Sequence, residues 1–286
     1  MSEITTEIVN DLSMNPVIGQ MANMGHEQIL FCNDAATGLK AIIAVHNTVL
    51  GPALGGTRVW AYNNEMDALN DVLRLSRGMT YKNSISGLNL GGGKAVIIGD
   101  AKTIKSEALF RRFGRFVNSL AGNYITAEDV GVSPIDMTHV NKETNHVVGL
   151  PGKSGDPSPV TAYGTYMGMK ACAKIQYGSD SLNGKKIVVQ GVGHVGEYLV
   201  EYLRKENATV YIADINSETL NRVAQKYGAH IIDKDEFYDF DMDIYAPCAL
   251  GATINDDTLS RLKCSIIAGA ANNQLKVESV HGLEIM

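Results

Sequence analysis

The sequence has only four cysteines in 286 residues, and no two of them form a C-x-x-C pair. This scatter argues against a disulfide scaffold or a zinc ribbon and favours a reducing, cytoplasmic compartment. No apolar run approaches the ~20 residues of a membrane span. The first ten residues are acidic and polar, which is not the pattern of a secretory signal. The cysteines are Cys32, Cys172, Cys248 and Cys264.

Positive charge is also scarce, because 25 Lys and Arg face 31 Asp and Glu, for a formal net charge of −6. A mildly acidic chain has no general attraction for nucleic acid or for an anionic membrane. The hydrophobic content of 45% argues against disorder, and ~150 residues per domain suggests about two domains. Glycine is plentiful, with 29 residues against 7 prolines. Such an excess often serves sharp turns at which the backbone approaches a ligand.

Strand and helix signals alternate along the first half of the chain. Gly91–Gly93 breaks a helical pattern before the short apolar strand KAVIIG, and YITAED is typical of a strand that ends in acidic residues. Capping residues mark three helix starts. The predicted elements are a hairpin over 28–46, strands over 94–99 and 124–129, and helices that begin at Asn64, at about Ser106 and at Ser133-Pro134.

Residues 149–159, GLPGKSGDPSP, form the clearest linker, with three prolines and three glycines in 11 residues. This composition suits a hinge between domains. A long helix is predicted from Ser158-Pro159 to about Tyr177. From Lys185 onward, five short apolar strands alternate with helical runs, which is the rhythm of a doubly wound parallel sheet. We therefore predict an α/β fold with two domains, 1–149 and 150–286.

The second domain contains a glycine motif, Gly191-Val192-Gly193-His194-Val195-Gly196. It follows the strand KKIVVQ and opens an apolar-periodic helix, and the next strand ends at Asp214, 18 residues after Gly196. This context predicts a Rossmann-type dinucleotide site in which the helix N-terminus meets the pyrophosphate. Asp214 would accept hydrogen bonds from the adenosine ribose, and no Lys or Arg follows it in INSET, so NAD is favoured over NADP. The alternative is a glycine-rich turn that binds nothing.

Other motifs do not hold. The segment that ends in Lys94 resembles a P-loop, but Leu88 stands where its first glycine belongs and Ala95 replaces the magnesium-binding Ser or Thr. His26-Glu27 lacks a second histidine at position 30, and we predict no catalytic metal. Lys82, Lys94 and Asp129 remain. A lysine beside buried surface and a second cation can act as a general base, but spacing alone favours the reading of three solvated surface charges.

A set of segments, in order from about residue 15 to residue 275, resembles the glutamate/leucine/phenylalanine/valine dehydrogenase family. This set is far more specific than any single motif. The segments are GPALGGTR (51–58), RGMTYKN (77–83), GLNLGGGKAVIIGD (87–100), YITAEDVG (124–131), DPSPVTAYG (156–164), VVQGVGHVGEYL (188–199), IYAPCALGA (244–252) and AGAANNQL (268–275).

The resemblance implies a role for each matching residue. Lys82 corresponds to the lysine that binds the substrate carboxylate, Lys94 to the catalytic lysine and Asp129 to its proton-transfer partner. Leu54, Gly55 and Met79 resemble side-chain pocket residues, and Thr161 and Asn272 resemble residues that position the nicotinamide or the substrate. Cys248 and Ala249 lie in a turn that would border the cofactor. Ala127 would shorten the pocket relative to glycine and so favour a branched aliphatic side chain over a phenyl ring.

The implied activity is the oxidation of L-leucine and other branched-chain L-amino acids by NAD and water to 2-oxo acids, ammonium and NADH. The first domain would bind substrate and form a homo-oligomer, and closure at 149–159 would keep water from the hydride step. A valine or phenylalanine dehydrogenase would differ only in the pocket. The sequence stops at 281–286 in a helical pattern, whereas family members continue. This predicts a C-terminally truncated second domain, and allows a weakly active or inactive NAD-binding fragment as an alternative.

Overall fold

The computed structural model describes residues 16–153, 155–249, 251–277 and 280–282. The first ten residues and residues 283–286 of the expected final helix therefore lie outside the described residues. The chain divides into two compact units, Met1–Asp156 and Pro157–Met286. Within the described ranges, no helix is long and apolar enough to cross a membrane.

The first unit is built on a mixed five-stranded sheet in the order β1-β2-β4-β3-β5. β1 and β2 form the predicted antiparallel hairpin, and β2 is also antiparallel to β4. β4, β3 and β5 run parallel to one another. The strands are β1 Gln28–Asp34, β2 Leu39–Asn47, β3 Ala53–Trp60, β4 Gly91–Ile98 and β5 Tyr124–Glu128. β3 was not predicted from the sequence.

Among residues 16–153, four helices accompany this sheet, and the three predicted helix starts are confirmed. The side chains of Asn64, Ser106 and Ser133 each accept a hydrogen bond from a backbone amide of the first turn, which satisfies donors that a helix start leaves unpaired. The helices are α1 Pro16–Met24, α2 Glu65–Ile85, α3 Glu107–Ser119 and α4 Pro134–Asn141.

The central strands are buried on both faces because the apolar residues of β2 alternate between two cores. Ile42 and Ala44 pack in one core with Leu69 and Leu73 of α2. The alternate residues Ala41, Ile43 and Val45 pack in the second core with the apolar face of α3. Alternation along a strand sends successive side chains to opposite faces. The first unit is therefore a sheet between two helical layers.

The predicted start of the strand at Lys94, after the three glycines, was wrong, because Gly91–Gly93 all lie within β4. They are required by crowding rather than by a turn. A Cβ on Gly93 would lie 2.7 Å from Cδ2 of Tyr124, and one on Gly92 would overlap Thr80 of α2. The strand therefore begins three residues earlier than predicted, and Lys94 is its fourth residue rather than its first.

The second unit contains the predicted parallel sheet, with the strand order β10-β9-β6-β7-β8. The order reverses beside β6, and the carboxyl end of the strand at such a reversal is where open α/β sheets bind ligands. The strands are β6 Lys186–Gln190, β7 Thr209–Ala213, β8 His230–Ile231, β9 Ile244–Pro247 and β10 Ile266–Ile267. The helices are α5 Ser158–Tyr177, α6 His194–Lys205, α7 Ser217–Tyr227 and α8 Asp256–Leu259.

Candidate active site

Lys94 and Asp129 form a buried ion pair in the first unit. Lys94 is only 3% exposed, and its Nζ lies 2.6 Å from Oδ2 of Asp129. Asp129 directly follows β5, and β3 lies between β5 and the strand of Lys94. This geometry excludes the reading of these two residues as solvated surface charges, since surface ion pairs keep their water.

The environment moves both groups away from their ordinary protonation behaviour. Burial lowers the pKa of Lys94 and the positive charge of Arg58 adds to that effect, while Asp129 opposes it. Burial would raise the pKa of Asp129, but Lys94 and Arg58 outweigh it and hold that pKa below its usual range. A lysine whose pKa is drawn toward neutrality can exchange protons in the reaction, as a general base must.

Arg58 is a site residue to which the sequence analysis gave no role. Its Nε lies 3.3 Å from Oδ2 of Asp129, and its Nη1 donates a 2.8 Å hydrogen bond to Oδ2 of Asp71. The hydroxyl of Tyr62 donates to the same Asp71 oxygen at 2.6 Å. The signal that could have revealed it was an arginine directly before the apolar pair Val59-Trp60, because a buried guanidinium needs carboxylate partners.

Two glycines of β3 allow the neighbouring segments to pack closely at this site. A Cβ on Gly56 would lie 2.9 Å from Cβ of Asp129, and a Cβ on Gly55 would overlap the carbonyl oxygen of Gly93. Met79 of α2 approaches the same point, with its Cγ 3.3 Å from that Cβ position of Gly55. The predicted pocket residues Gly55 and Met79 thus lie against the residue that precedes Lys94.

Leu54 and Ala127, the other predicted pocket residues, belong to the same group of strands. Leu54 pairs with Gly92 of β4 and with Ile125 of β5. Ala127 pairs with Gly56, two residues before Asp129. The structure therefore brings together four predicted pocket residues and the ion pair, and their roles toward a substrate stay predictions.

Lys82 lies in the last turn of α2 and is exposed. Among residues 16–153, no ion pair with its ammonium group is present. Its neighbour Asn83 is buried and donates a 2.6 Å hydrogen bond to the carbonyl oxygen of Gly91, which joins this end of α2 to the start of β4. Lys82 is thus anchored through its backbone near the strand of Lys94, with a charged group free for a ligand.

Glu128 is a second carboxyl group that the sequence analysis did not single out. Burial, reinforced by the negative charges of Asp156 and Asp129, raises its pKa to about 7. Its Oε1 is buried and has no hydrogen-bond partner among the described residues. The group next to the Lys94–Asp129 pair is therefore partly protonated at neutral pH.

Two buried histidines hold α2 in place beside β2. Nε2 of His26 lies 2.8 Å from Oγ of Ser76 and 3.0 Å from the carbonyl oxygen of Leu73. Nδ1 of His46 lies 2.8 Å from Oγ1 of Thr80. Because Thr80 also contacts Gly92, these bonds help to fix the end of α2 that carries Met79 and Lys82.

We expect the histidine pair to make the fold acid-sensitive between pH 6.5 and 4. Burial, with a contribution from His46, lowers the pKa of His26 from 6.5 to about 4. The unfolded chain then binds the proton at a higher pH than the folded chain does, so stability is lost as the pH falls through this range. At 1.36 kcal/mol per unit the loss is about 3 kcal/mol.

Denaturant unfolding of wild type and His26→Gln at a series of pH values checks this. The variant should lose less stability on acidification, whatever its stability at neutral pH. His230→Gln, at an exposed position, is the matched control and should follow wild type. Equal pH slopes for wild type and His26→Gln would show that His26 is not the acid-sensitive group.

The glycine motif of the second unit forms the loop that the sequence predicts between β6 and α6. Gly191 has φ +91°, a conformation that favours glycine, and a Cβ there would lie 2.8 Å from the amide nitrogen of Ala249. A Cβ on Gly196 would overlap the carbonyl oxygen of Gly191 and would lie 3.6 Å from Cβ of Cys248. The predicted border residues Cys248 and Ala249 therefore do pack against this loop. Burial raises the pKa of the Cys248 thiol to about 11.

Gly193 differs from the other two glycines of the motif. It is the N-cap of α6 and provides no side-chain hydrogen bond to that helix end. Apart from its two neighbours in the chain, no atom of the described residues lies within 4 Å of a Cβ built on it. The N-cap of this 12-residue helix thus offers the first amides no side-chain acceptor, and such a helix start binds phosphate groups. The loop fits the pyrophosphate of a dinucleotide.

Asp214 directly follows β7 and braces the same loop. Its Oδ2 accepts a 2.8 Å hydrogen bond from the amide of Val192, and its Oδ1 accepts one from the amide of Asn216, also at 2.8 Å. Thr161 lies in the first turn of α5, and Asn272 is exposed beyond β10. The described contacts join neither Thr161 nor Asn272 to the glycine loop. Within the described ranges, no group of three or more His, Cys, Asp or Glu side chains could hold a metal ion.

Comparisons with known proteins agree on one family. Residues 26–146 match the family model described as Glu/Leu/Phe/Val dehydrogenase, dimerisation domain. The chain is 57% identical to the leucine dehydrogenase of Bacillus subtilis (strain 168) over 268 residues, which are 93% of this chain and 73% of that protein. It is 56% identical to the leucine dehydrogenase of Geobacillus stearothermophilus over 92% of this chain and 72% of that protein.

A solved structure is similar as well. The crystal structure of L-tryptophan dehydrogenase from Nostoc punctiforme matches with a TM-score of 0.68 and 43% sequence identity. The match covers 94% of this chain and 77% of that one. The predicted two-domain α/β architecture with a Rossmann-type second domain is thereby confirmed.

Proposed function

The chain belongs to the glutamate/leucine/phenylalanine/valine dehydrogenase family, and from this premise we propose that it oxidatively deaminates L-leucine and other branched-chain L-amino acids. It is an amino-acid dehydrogenase, an oxidoreductase that acts on a CH–NH2 group and uses a nicotinamide cofactor. The observation that carries the mechanism is the buried pair in which Nζ of Lys94 lies 2.6 Å from Asp129.

The bound nicotinamide would supply the acceptor for the hydride that leaves the substrate α-carbon. In our proposal Lys82 binds the α-carboxylate as a point charge. This contact fixes the orientation of the substrate and so the direction in which its α-hydrogen points. Lys94, in its neutral form, accepts a proton from the water that attacks the resulting substrate imine. Asp129 receives and returns a proton at the amine nitrogen and keeps Lys94 in place. Ammonium and the 2-oxo acid then leave.

Asp214 is the basis for proposing NAD rather than NADP. Each of its oxygens already accepts one backbone amide, and a carboxylate oxygen has capacity for a second donor, here a ribose hydroxyl. Its charge would repel a 2′-phosphate. Gly191, Gly193 and the helix start would hold the pyrophosphate, with Val192, His194, Val195 and Gly196 completing the loop. Thr161, Cys248, Ala249 and Asn272 would lie toward the nicotinamide.

We expect Asp214→Asn to narrow the preference for NAD over NADP by roughly tenfold, since about 1.4 kcal/mol of charge repulsion is removed. The measurement is the ratio of the two dissociation constants, because damage to the Val192 loop weakens both cofactors alike and cancels in the ratio. Asp180→Asn, at an exposed position of the same unit between α5 and β6, is the control. An unchanged ratio would mean that Asp214 does not distinguish the ribose hydroxyl of NAD from the 2′-phosphate of NADP.

Ala127 is our proposed determinant of side-chain choice. It is half-buried in β5 beside Gly56. Removing its methyl group in Ala127→Gly should raise kcat/KM for phenylalanine relative to leucine by about tenfold, since a methylene-sized change in a pocket is worth ~1–3 kcal/mol. Ala41→Gly, at a buried position on β2, controls for the general cost of a glycine in a strand. If Ala127→Gly and wild type have the same ratio of kcat/KM for phenylalanine to kcat/KM for leucine, Ala127 does not line the pocket.

We also propose a homo-oligomer in the cytoplasm. The matched family model is described as a dimerisation domain, and Phe31 is 55% exposed on β1, an edge strand of the first sheet. All four cysteines are free thiols, which is typical of a reducing compartment.

Leucine deuterated at Cα tests the proposed reaction. Turnover should place the deuterium on the nicotinamide ring of the reduced cofactor, with one ammonium and one 2-oxo acid formed per reduced cofactor. Retention of deuterium in the organic product, or cofactor reduction without ammonium release, would contradict an oxidative deamination.

A further inference from the structure

Arg58 lies among the buried groups of the site although no step of the proposed reaction uses it. It is 5% exposed, and its guanidinium contacts two carboxylates at once. Nε faces Asp129 at 3.3 Å and Nη1 faces Asp71 at 2.8 Å. A buried cation of this kind is costly unless it is compensated. The chain keeps it beside the very carboxylate that pairs with Lys94.

The arrangement alternates in sign across four elements of the fold. Lys94 on β4 pairs with Asp129 after β5, Asp129 pairs with Arg58 on β3, and Arg58 pairs with Asp71 on α2. The same oxygen of Asp129, Oδ2, meets both cations. A carboxylate held from two directions by rigid strands has one orientation available to it.

We propose that Arg58, clamped by Asp71, is a positioning residue that fixes the Asp129 carboxylate against Lys94 and serves as the second cation beside that lysine. The inference rests on the proposed function, because it assigns Arg58 a task in proton exchange at Lys94. Arg58 acts through Asp129 and Lys94 and touches no substrate atom in this proposal.

The charged and titratable groups around Lys94 come from every neighbouring element. β5 contributes the buried Tyr124, and Asp129 directly follows that strand. β3 contributes Arg58, and α2 contributes Asp71, which also accepts a hydrogen bond from Tyr62. β2 pairs the uncharged Ala44 with Lys94, and its own titratable group, His46, bonds to Thr80 and Met24 instead. Of these charges, Arg58 disfavours the protonated lysine, while Asp129 and Asp71 favour it.

Two substitutions should therefore move the protonation of Lys94 in opposite directions. Arg58→Met removes the second cation, so the acid limb of the kcat/KM profile should shift to higher pH by about one unit or more. Asp71→Asn removes a negative charge, so the same limb should shift to lower pH. Arg58→Lys restores the positive charge but not the planar guanidinium group that contacts both carboxylates. The acid limb of its kcat/KM profile should therefore return close to that of wild type, while kcat stays reduced.

A measurement without turnover separates this proposal from the proposed function. Competitive acetylation of lysines in the cofactor-free protein, read by peptide mass spectrometry as a function of pH, follows the protonation of Lys94 directly. The pH midpoint of Lys94 acetylation should be lowest in Asp71→Asn, intermediate in wild type and highest in Arg58→Met. If wild type oxidises no amino acid, the proposed function fails and the acetylation series still decides the role of Arg58.

Thermal unfolding of each variant completes the design, with Arg115→Met, an exposed arginine paired with Glu143, as the control. If Arg58→Met does not fold, Arg58→Lys and Asp71→Asn carry the test, since Asp71→Asn alone must lower the Lys94 midpoint. Variants that lower the melting temperature but leave both the pH profile and the acetylation midpoints at wild-type values would overturn the proposal and leave Arg58 a purely structural residue.

Discussion

Lys94→Met is expected to reduce kcat by roughly 10²–10⁴-fold, the contribution of a positioned general base, while the dissociation constant for NADH stays within about twofold of wild type. The side chain is buried on the sheet of the first unit, whereas the glycine loop belongs to the second unit. Methionine keeps most of the volume and leaves Asp129 beside Arg58. The loss should therefore fall on chemistry and not on cofactor binding.

Two comparison variants make this result specific. Lys40→Met, at an exposed position on β2, should behave as wild type. Lys82→Met should mainly raise KM for the amino acid, because it removes a contact that substrate and transition state share. Retention of more than a tenth of the wild-type kcat by Lys94→Met would exclude Lys94 as the base.

Gly193→Val is expected to weaken NADH binding by about 10- to 100-fold without lowering the melting temperature. A Cβ on Gly193 meets no atom within 4 Å in the part of the chain that the structure describes, its two chain neighbours aside, so the folded chain should tolerate it. The added atoms would fill the space in front of α6 that the pyrophosphate needs, and overpacking of this kind costs ~1–3 kcal/mol.

Gly196→Val, in contrast, should lower the melting temperature. Its Cβ would overlap the carbonyl oxygen of Gly191, so the second unit itself should lose stability. Gly168→Ala, with open space around it on α5, is the neutral control. NADH fluorescence and thermal unfolding separate the two effects. If Gly193→Val binds NADH as wild type does, the pyrophosphate does not lie at this helix start.

The features that were predictable from the sequence are those set by short stretches of chain. The loop from Gly191 to Gly196 lies between one strand and one helix, and Asp214 follows the next strand, so spacing alone indicated the site. The helix caps at Asn64 and Ser133 depend on residues within three positions of each cap. Local rules were sufficient there.

The features that were missed depend on contacts between distant segments. Gly91–Gly93 resembled a break because glycine is rare within strands, and only the approach of Thr80 and Tyr124 explains why β4 contains three. β3 was hidden for the same reason, since Gly55 and Gly56 dilute its apolar pattern. Without β3 in the sheet, nothing in the sequence placed Arg58 beside Asp129, or Asp71 beside Arg58.

The central claim, that this chain is a dehydrogenase for branched-chain amino acids, is tested most directly by one steady-state comparison. The measurement is kcat/KM for leucine, isoleucine, valine, phenylalanine and glutamate, followed through the absorbance of NADH. The account predicts that the three branched-chain amino acids exceed phenylalanine by about tenfold or more, and that glutamate, whose charge has no partner among Leu54, Gly55, Met79 and Ala127, is the poorest. A higher kcat/KM for glutamate or phenylalanine than for leucine, or NADH binding with no amino-acid-dependent turnover, would contradict it.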